Sequence, residues 1–397
     1  MLKGYKRIFF VLGLMIIFIV VLSRCMNVAD KIPPDVRGEN FTGAATCIKC
    51  HAKVAQSFIH SAHAQSSAPA NKKTLESYLQ TDSNSFAFNT HMKVKIEKRD
   101  SGIYQVAYVD VKQSRIQRFD IAFGSGEKAF TYAYWKGKKL YQLPLSHFSA
   151  IKTWANSPGF PINNMYFDRP IPSRCLECHS SYIKKETKQV SALAMDEELE
   201  KGSLLYGIDC ERCHGPGKQH AVFHLENPDE KTAKFITIFK TLSRKQKMDA
   251  CGVCHSGNKL TTVQSVFNFQ PGDDLNDYYA QDFVSFGGVN PDVHGNQTAM
   301  LQGSMCYRKS EMTCQSCHNT HESIKGNMAI YSQRCISCHQ TQKHTSQTLK
   351  KGVLKTNCVD CHMPMQASKL ISFQTAGNKN VSPYMLRSHH IGIYPAK

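Results

Sequence analysis

One five-residue pattern, Cys-x-x-Cys-His, recurs seven times in this chain and constrains its fold more than any other feature. In a helical turn, residues i, i+3 and i+4 lie on one face, so the two thiols and the imidazole point in the same direction. We number the copies in chain order as sites 1 to 7: Cys47-Cys50-His51, Cys175-Cys178-His179, Cys210-Cys213-His214, Cys251-Cys254-His255, Cys314-Cys317-His318, Cys335-Cys338-His339 and Cys358-Cys361-His362.

The pattern is the attachment signature of c-type haem. Two thiols can bond the two vinyl groups of a porphyrin while the histidine binds its iron. Zinc sites of the Cys₄ type use such cysteine pairs two at a time, and seven is an odd number. Disulfide pairing gives the histidines no role. The sequence therefore predicts seven covalently attached haems c, with all fourteen motif cysteines as attachment points and all seven motif histidines as iron ligands.

The spacing of sites 2 to 7 leaves little room for an ordinary hydrophobic core. Their first cysteines are 35, 41, 63, 21 and 23 residues apart. We expect haem macrocycles to form the interior there, with short helices and loops around them. The predicted fold class is therefore mainly α with much irregular coil, a multihaem cytochrome c fold organised round stacked haems. Helices are expected at 196–205 and 241–250.

A different pattern occupies the 128 residues between the first cysteines of sites 1 and 2. Apolar side chains alternate at 104, 106 and 108 and again at 130, 132 and 134, and 140–145 is expected to return as the second arm of a hairpin. This predicts a small antiparallel insertion of three to five strands. The expected domains are 1–25 signal peptide or membrane anchor, 26–40 linker, 41–85 first haem segment, 86–168 β-rich insertion and 169–397 six-haem domain.

The first 25 residues are typical of an export segment, since Lys3, Lys6 and Arg7 precede the uncharged stretch 8–22. Fifteen helical residues span about 23 Å, less than the roughly 30 Å of a bilayer core. Leu22-Ser23-Arg24-Cys25 resembles a bacterial lipoprotein box, except at Arg24. Three outcomes stay open: lipid attached to Cys25, an uncleaved anchor, or a cleaved signal peptide. We expect the body to be exported and tethered on the periplasmic or cell-surface side of a membrane.

The formal net charge of +18 alone suggests nucleic acid or anionic lipid as a partner. Two ionised propionates per haem change that count, because each ferric haem contributes about −1 and each ferrous haem about −2. Seven haems lower the total to roughly +11 or +4. We therefore expect the basic side chains to pair with propionates or to steer an acidic redox partner, and we expect no nucleic-acid partner.

The residues around several sites resemble a known family. The matching segments are Cys47–His51 with Ser61-Ala62-His63, Cys210–His214 with Gly215-Pro216-Gly217-Lys218-Gln219-His220, Cys314–His318 with Asn319-Thr320-His321, and Cys358–Pro364 with Arg387-Ser388-His389. They are similar to multihaem c-type cytochromes related to the tetrahaem partner of hydroxylamine oxidoreductase and to that enzyme's haem core. The resemblance covers about residues 41–397. It implies that His63, His220, His321 and His389 are second axial ligands.

Eleven histidines lie outside the motifs, enough for a second ligand at every iron. His294 and His344 are expected as ligands from their positions before site 5 and after site 6. The seventh ligand stays open among His60, His91, His147, His224, His390 and Met305. Cys306, outside the motifs, is expected to be a small buried side chain, with pairing to Cys25 or a chemical role as alternatives.

Seven closely spaced haems indicate an electron-transfer protein that connects a membrane donor with a periplasmic or surface acceptor. A second reading is a reductase or oxidoreductase of small nitrogen or sulfur species, which needs one five-coordinate haem. Against it, all seven motifs end in His, so the Cys-x-x-Cys-Lys site of related nitrite reductases is absent. A third reading is a structural or sensing subunit that binds through the strand insertion. The sequence identifies neither the redox partners nor the oligomeric state.

Overall fold

The computed structural model describes residues 34–70, 84–257, 260–280, 291–339, 356–377 and 380–395, together with residues 12–16, 18, 75, 79 and 344. Most of the expected export segment 1–25, Cys25 included, and residues 26–33 of the linker lie outside these ranges. Residues 12–16 and 18 are helical. In the described part of the chain, no helix combines the length and the apolar character that a membrane crossing requires.

The predicted mainly α fold is wrong. Helices account for 28% and strands for 27% of the chain, and the strands form several antiparallel sheets. The expectation failed because motif spacing was taken to leave room for helices and loops alone. Two-stranded hairpins need few residues, and they occupy gaps between motifs and the segment after site 7.

The helices are short and carry or flank the motifs. Those in the described ranges are α1 (Ala44–Cys50), α2 (Ala52–Phe58), α3 (Ser173–His179), α4 (Cys210–His214), α5 (Lys218–Glu226), α6 (Arg244–His255), α7 (Gln297–Gln302), α8 (Met305–Arg308), α9 (Met328–Ile336) and α10 (Val359–His362). Single 3₁₀ turns occur at Lys201–Ser203, Phe239–Thr241, Val266–Asn268, Leu275–Asp277 and Cys314–Ser316.

Two antiparallel sheets lie between sites 1 and 2. The first has the order β2 (Ser85–Ala87), β3 (Met92–Arg99), β4 (Gly102–Val109) and β5 (Lys112–Arg118). The second has the order β1 (Ser67–Pro69), β6 (Ile121–Phe123), β7 (Ala129–Lys136), β8 (Lys139–Gln142) and β11 (Arg169–Pro170), and β7 also pairs with β9 (Leu145–Phe148), which pairs with β10 (Thr153–Asn156). The insertion is therefore larger than the three to five strands expected.

The hairpin predicted around residue 137 is present, with Gly137 at a φ of 60° in the turn between β7 and β8. Three further antiparallel pairs lie between or after the later sites. They are β12 (Ser180–Tyr182) with β15 (Leu205–Tyr206), β13 (Lys185–Ser191) with β14 (Ala194–Leu199), and β16 (Met365–Phe373) with β17 (Ser382–Arg387).

The two helix predictions have opposite outcomes. The helix predicted at 241–250 is confirmed as α6, where Ser243 and Gln246 form a reciprocal capping box at the N-terminus. The helix predicted at 196–205 is wrong, because most of that segment is β14 followed by a 3₁₀ turn. Its acidic side chains pair with lysines on neighbouring strands, Glu198 with Lys188 and Asp196 with Lys139, which favours the extended conformation.

The insertion has a conventional side-chain core. Phe86, Tyr132, Tyr134 and Trp154 are each at most 2% exposed and pack in one cluster with residues of both sheets. A second cluster joins β6–β8 to Leu176, inside the motif of site 2. A third joins β9 and β10 to the C-terminal hairpin β16–β17. The insertion therefore packs directly against segments that carry or follow the motifs.

Candidate haem-binding sites

The local conformation of the motifs is a single helical turn. Four of the sites show the same short hydrogen bond, from the histidine amide to the carbonyl oxygen of the first cysteine, at 2.9 Å for His51, His318 and His339 and 3.1 Å for His362. This i to i+4 bond sets both cysteines and the histidine on one side of the turn.

Five motif histidines face a second histidine ring at nearly the same distance. The ring centroids are 5.9–6.3 Å apart in the pairs His51–His220, His214–His321, His255–His63, His318–His389 and His362–His344. The ring planes are nearly parallel in the pairs of sites 1, 3 and 5, at 10–23°. They are crossed in the pairs of sites 4 and 7, at 78° and 83°.

This distance fits two imidazoles on opposite sides of one metal ion. A histidine nitrogen lies about 2 Å from a bound transition metal, and the ring centre lies about 1.1 Å further away, so the two centroids come to about 6.2 Å apart. Rings in direct van der Waals stacking would lie closer. The pairs therefore leave the space that one iron between two axial ligands requires.

The sixth pair is visible in the electrostatics. Burial is the main cause that lowers the pKa of His179, and the neighbouring His294 lowers it further. His294 thus lies near the motif histidine of site 2. Five of the six residues expected as second ligands therefore face a different motif histidine each, and the sixth, His294, acts electrostatically on His179.

The outer ring nitrogens of several of these histidines are already held by the chain. The Nδ1 atoms of His220 and His362 lie 2.8 Å from the carbonyl oxygens of Lys234 and Gly392. Nδ1 of His255 lies 3.2 Å from Oε1 of Gln297. A metal-binding histidine usually donates its second N–H to such an oxygen, which fixes the ring and leaves Nε2 for the metal. The donor set therefore fits haem.

Comparison with known proteins also points to proteins that bind haem c. Residues 138–215 match the family model "Cytochrome c554 and c-prime". The chain is 25% identical over 202 residues to dissimilatory sulfite reductase MccA of Wolinella succinogenes, a match that covers 48% of this chain and 24% of that protein. It is 28% identical over 194 residues to multiheme cytochrome MtrA of Shewanella baltica, covering 43% of this chain and 53% of MtrA. No solved structure matches the chain.

Over part of its length this chain is therefore similar to multihaem c-type cytochromes. It spans about a quarter of one of these curated relatives and about half of the other. The matches support haem c as its cofactor and electron transfer or redox chemistry as its activity. The resemblance to the hydroxylamine oxidoreductase haem core stays a prediction from the motifs.

The motif-bearing turns contact one another in pairs, some adjacent in sequence and some distant. The turns of sites 1 and 3, 2 and 4, 4 and 5, and 6 and 7 pack against each other. In each of these pairs one thiol acts electrostatically on a thiol of the other site, as Cys47 and Cys210 do in sites 1 and 3. Weaker electrostatic contacts link site 3 to site 4 and site 5 to site 6. The sites are thus connected in the order 1–3–4–5–6–7, with site 2 beside site 4.

Burial keeps two of the paired imidazoles, those of His63 and His389, neutral. It is the main cause that lowers the pKa of His63 and of His389 to about 4, and the neighbouring His255 and His318 lower both values further. The neutral imidazole is the form that binds a metal. At neutral pH these side chains are therefore ready to serve as ligands.

Sequence analysis missed an ion-pair cluster beside sites 1 and 3. The side chain of Glu211, inside the motif of site 3, is 1% exposed and lies 2.7 Å from Nη2 of Arg37. The amides of Thr42, Gly43 and Gly217 donate to its two oxygens at 2.7–3.0 Å. Glu211 occupies one of the two positions between the motif cysteines, and the motif allows any residue there. The pattern therefore gave no signal for a structural carboxylate.

Arg37 of this cluster also binds Asp35 and Asp209. Burial alone would lower the pKa of Arg37, but the hydrogen bond to Asp35 and the charges of Asp209 and Glu211 outweigh it and raise the pKa. The cation is therefore retained in a buried position. It fastens the segment before site 1 to the turn of site 3 and so supports the His51–His220 pair.

Proposed function

We propose that this chain is an exported heptahaem c-type cytochrome that carries electrons, with six of its haems held between two histidines. The observation that carries this proposal is that five expected second ligands each face a different motif histidine at the distance that one iron requires. The sixth pair is inferred from the electrostatic effect of His294 on His179. The proposed ligand pairs are His51–His220, His179–His294, His214–His321, His255–His63, His318–His389 and His362–His344.

The chain's own part in this function is to attach the haems covalently, to orient them and to enclose them. The cysteines of each motif provide two covalent anchors, and the paired rings provide two strong ligands on fixed backbone supports. Bound haem supplies an iron that takes up and releases one electron. Two histidine ligands keep its coordination the same in both oxidation states and close it to substrate, as is typical of electron carriers.

The contacts between attachment thiols support transfer along a series of sites. Sites 1 and 7 are the two ends of that series, and site 2 is a branch at site 4. A series of adjacent sites suits a protein that receives electrons at one surface and delivers them at another. In the proposed function the donor lies in the membrane and the acceptor in the periplasm or at the cell surface.

Export and tethering rest on the N-terminal sequence, where three basic residues precede an uncharged apolar stretch. Either this segment or a lipid on Cys25 would hold the protein at the membrane. The redox partners are proposed to present acidic surfaces, because the chain carries an excess of basic side chains.

The central test is a haem count with a redox titration. Protein from a cell that attaches haem c is assayed as its pyridine haemochrome, and its Soret band is followed against potential. We expect seven haems per chain and reversible reduction of all of them. A smaller count, or haems that stay oxidised under strong reductant, contradicts the proposed function.

The tether is tested by fractionation of cells that carry the wild-type chain or Cys25→Ser. A lipid anchor predicts that the variant moves from the membrane to the soluble periplasmic fraction. An uncleaved helix predicts that both proteins stay with the membrane. A wild-type chain in the cytoplasmic fraction would contradict export.

A reductase of small nitrogen or sulfur species is the second candidate. Two observations favour it. The matched relative MccA is named a dissimilatory sulfite reductase, and neither His179 of site 2 nor His339 of site 6 makes a ring contact with a second histidine among the described residues. The test is oxidation of the fully reduced protein by nitrite or by sulfite with a viologen as electron source. Catalytic turnover supports the enzyme, and stoichiometric electron release alone supports the carrier.

A further inference from the structure

Two arginines lie where the turns of sites 2 and 4 meet. Arg174 directly precedes the motif of site 2, and its Nη1 atom lies 3.4 Å from Sγ of Cys178. Arg212 comes from the motif of site 3, and its Nη2 atom donates at 3.3 Å to the carbonyl oxygen of Glu177. Sγ of Cys254 lies 3.8 Å from the same oxygen. Both cations therefore lie beside the attachment sulfurs of two haems.

The surrounding side chains balance Arg174 but leave Arg212 without a carboxylate. The carboxylate of Glu177, whose side chain is 2% exposed, lies 3.4 Å from Nη1 of Arg174, and the hydroxyl of Tyr279 accepts a hydrogen bond from Nη2 of Arg174. Arg212 is 9% exposed, and within the described residues its guanidinium has no ion pair and its Nε no hydrogen-bond partner. Two guanidinium groups thus face one carboxylate, which leaves a formal surplus of one positive charge.

The contact between sites 1 and 3 carries the opposite charge. Three carboxylates there surround one guanidinium, and the four residues are Asp35, Asp209, Glu211 and Arg37. This leaves a formal surplus of two negative charges. The amide of Gly43 donates to Glu211, and its carbonyl oxygen lies 3.6 Å from Sγ of Cys47. The negative cluster therefore lies beside an attachment sulfur of site 1.

The sign of a nearby charge changes the reduction potential of a haem, because reduction adds an electron. A cation stabilises the ferrous form and raises the potential, and an anion lowers it. Solvent screens buried charges less than exposed ones. A unit charge about 10 Å from an iron, at an effective dielectric constant of about 20, changes the equilibrium constant for reduction about tenfold, which is about 59 mV for a one-electron couple.

We propose that the chain sets a step in reduction potential, in which Arg174 and Arg212 raise the potentials at sites 2 and 4 and the carboxylates around Arg37 lower those at sites 1 and 3. Electrons that enter at site 1 then move to sites 2 and 4 with a decrease in free energy. This direction agrees with a donor at the membrane, since site 1 is the site nearest in sequence to the N-terminal segment. The inference rests on the proposed function, because it needs haem at all four sites.

The main test removes the charge of Arg212 in the fully loaded protein. Arg212→Met removes the charge and keeps an unbranched side chain, and Arg212→Lys keeps the charge. Electron paramagnetic resonance distinguishes ferric haems with crossed imidazole planes, as at site 4, from haems with parallel planes, as at sites 1 and 3. In a redox titration, we expect part of the crossed-plane signal to shift about tenfold in its reduction equilibrium, toward lower potential, in the Met variant. The Lys variant should titrate like the wild type.

Two outcomes of this titration contradict the inference. An unshifted crossed-plane signal in Arg212→Met would show that this cation does not set the potential. Equal shifts in the Met and Lys variants would show that Arg212 acts through packing and not through its charge. The control is Arg118→Met, in the strand insertion, where the side chain is 50% exposed and both signals should stay unchanged. A shift of similar size in the control would overturn the assignment to the two clusters.

Glu211→Gln tests the other half of the step with the opposite sign. It removes one negative charge beside sites 1 and 3, so we expect the parallel-plane signal to move toward higher potential. An unchanged or lower potential would overturn the proposed step. If either variant does not attach haem, Arg174→Met and Asp209→Asn replace Arg212→Met and Glu211→Gln, with the same expected directions.

A pyridine haemochrome count on every sample separates two kinds of failure. Seven reversible haems in the wild type, with potentials that do not respond to these substitutions, would overturn this inference and leave the proposed electron carrier intact. A lower count in the wild type would overturn the proposed function itself.

Discussion

The strand insertion and the motif-bearing segments obtain their interiors in different ways. In the insertion, aromatic side chains such as Tyr132 and Trp154 pack against one another, with ring centroids 5.6 Å apart and tilted planes. In the motif segments, histidine rings face one another at about 6 Å, the distance that a shared iron requires. The first region is complete as a packing of side chains. The second contains a smaller side-chain cluster, around Val253, Phe269 and Tyr279, beside histidine pairs that leave space for a cofactor.

The difference shows two routes to stability in one chain. Burial of apolar surface is worth roughly 25 cal/mol per Å² and needs no other component. Metal ligation makes folding depend on binding of the metal, because a preformed metal site rarely exists in the unfolded chain. A third cluster, of Phe148, Phe373 and Tyr384, connects the insertion with the C-terminal hairpin, so the two regions also support each other directly.

The largest expected effect comes from withholding haem. We expect the chain produced without haem attachment to lose amide-exchange protection in α4 and α6 almost completely, because their histidine pairs then lack the iron between them. Strands β3, β4 and β7 should keep part of their protection. Hydrogen exchange by mass spectrometry on apo and loaded protein measures both. Equal loss in the two regions would show that the insertion also depends on haem.

A substitution that creates a cavity in the insertion tests whether the two interiors are separate. Trp154→Ala should lower the free energy of unfolding by about 3–5 kcal/mol, since a nearly fully buried indole is removed from an aromatic cluster. Urea unfolding followed by circular dichroism gives the value, while the visible spectrum should stay that of the wild type. Val111→Ala, at a side chain that is 88% exposed, is the matched control and should change little. An altered haem spectrum in the tryptophan variant would argue against separate interiors.

Removal of the buried negative charge at site 3 is expected to have a smaller effect on the free energy of unfolding. Glu211→Gln removes the charge that faces Arg37 and weakens the bonds from three amides. We expect a loss of about 3 kcal/mol in the free energy of unfolding, because Arg37 is left in a buried site with less compensation. The exposed Glu226→Gln is the control. Stability equal to that of the wild type would show that the cluster contributes no net energy.

The smallest expected effect concerns Asp292, next to the segment that presents His294. Burial alone would raise the pKa of Asp292, but hydrogen bonds from the amides of His294 and Lys369 and from the hydroxyl of Ser368 outweigh it and lower the pKa. Because the folded-state pKa lies below that of the unfolded chain, this contribution is present above a pH of about 4 and is lost as pH falls through the folded-state value.

The measurement compares wild type and Asp292→Asn by urea unfolding at pH 6 and at pH 3. The wild type should lose more stability on acidification, by less than about 1 kcal/mol, since the carboxylate is partly exposed to solvent. Equal losses in both proteins would assign the acid sensitivity to other carboxylates.

The motifs say more about the candidate sites than about the fold. Cysteine spacing gives the attachment residues directly, and the family resemblance indicated His220 and His321, which the structure brings to His51 and His214. Which histidine meets which motif depends on tertiary structure, so the sequence could not give the pairing. In segment 185–199, β13 and β14 pair with each other as a hairpin, and Asp196 also pairs with the distant Lys139. The prediction of a helix at 196–205 considered neither partner.

The histidine pairs also have a consequence for the continuity of the backbone. The pairs 51–220, 214–321 and 318–389 overlap along the sequence, so every peptide bond from 51 to 389 lies inside at least one of the loops they close. With the proposed ligands bound, a single proteolytic nick in that range would leave two fragments joined through one iron. The loaded protein should therefore run as one particle in native gel filtration after limited proteolysis and fall into separate pieces only when its axial ligands are displaced.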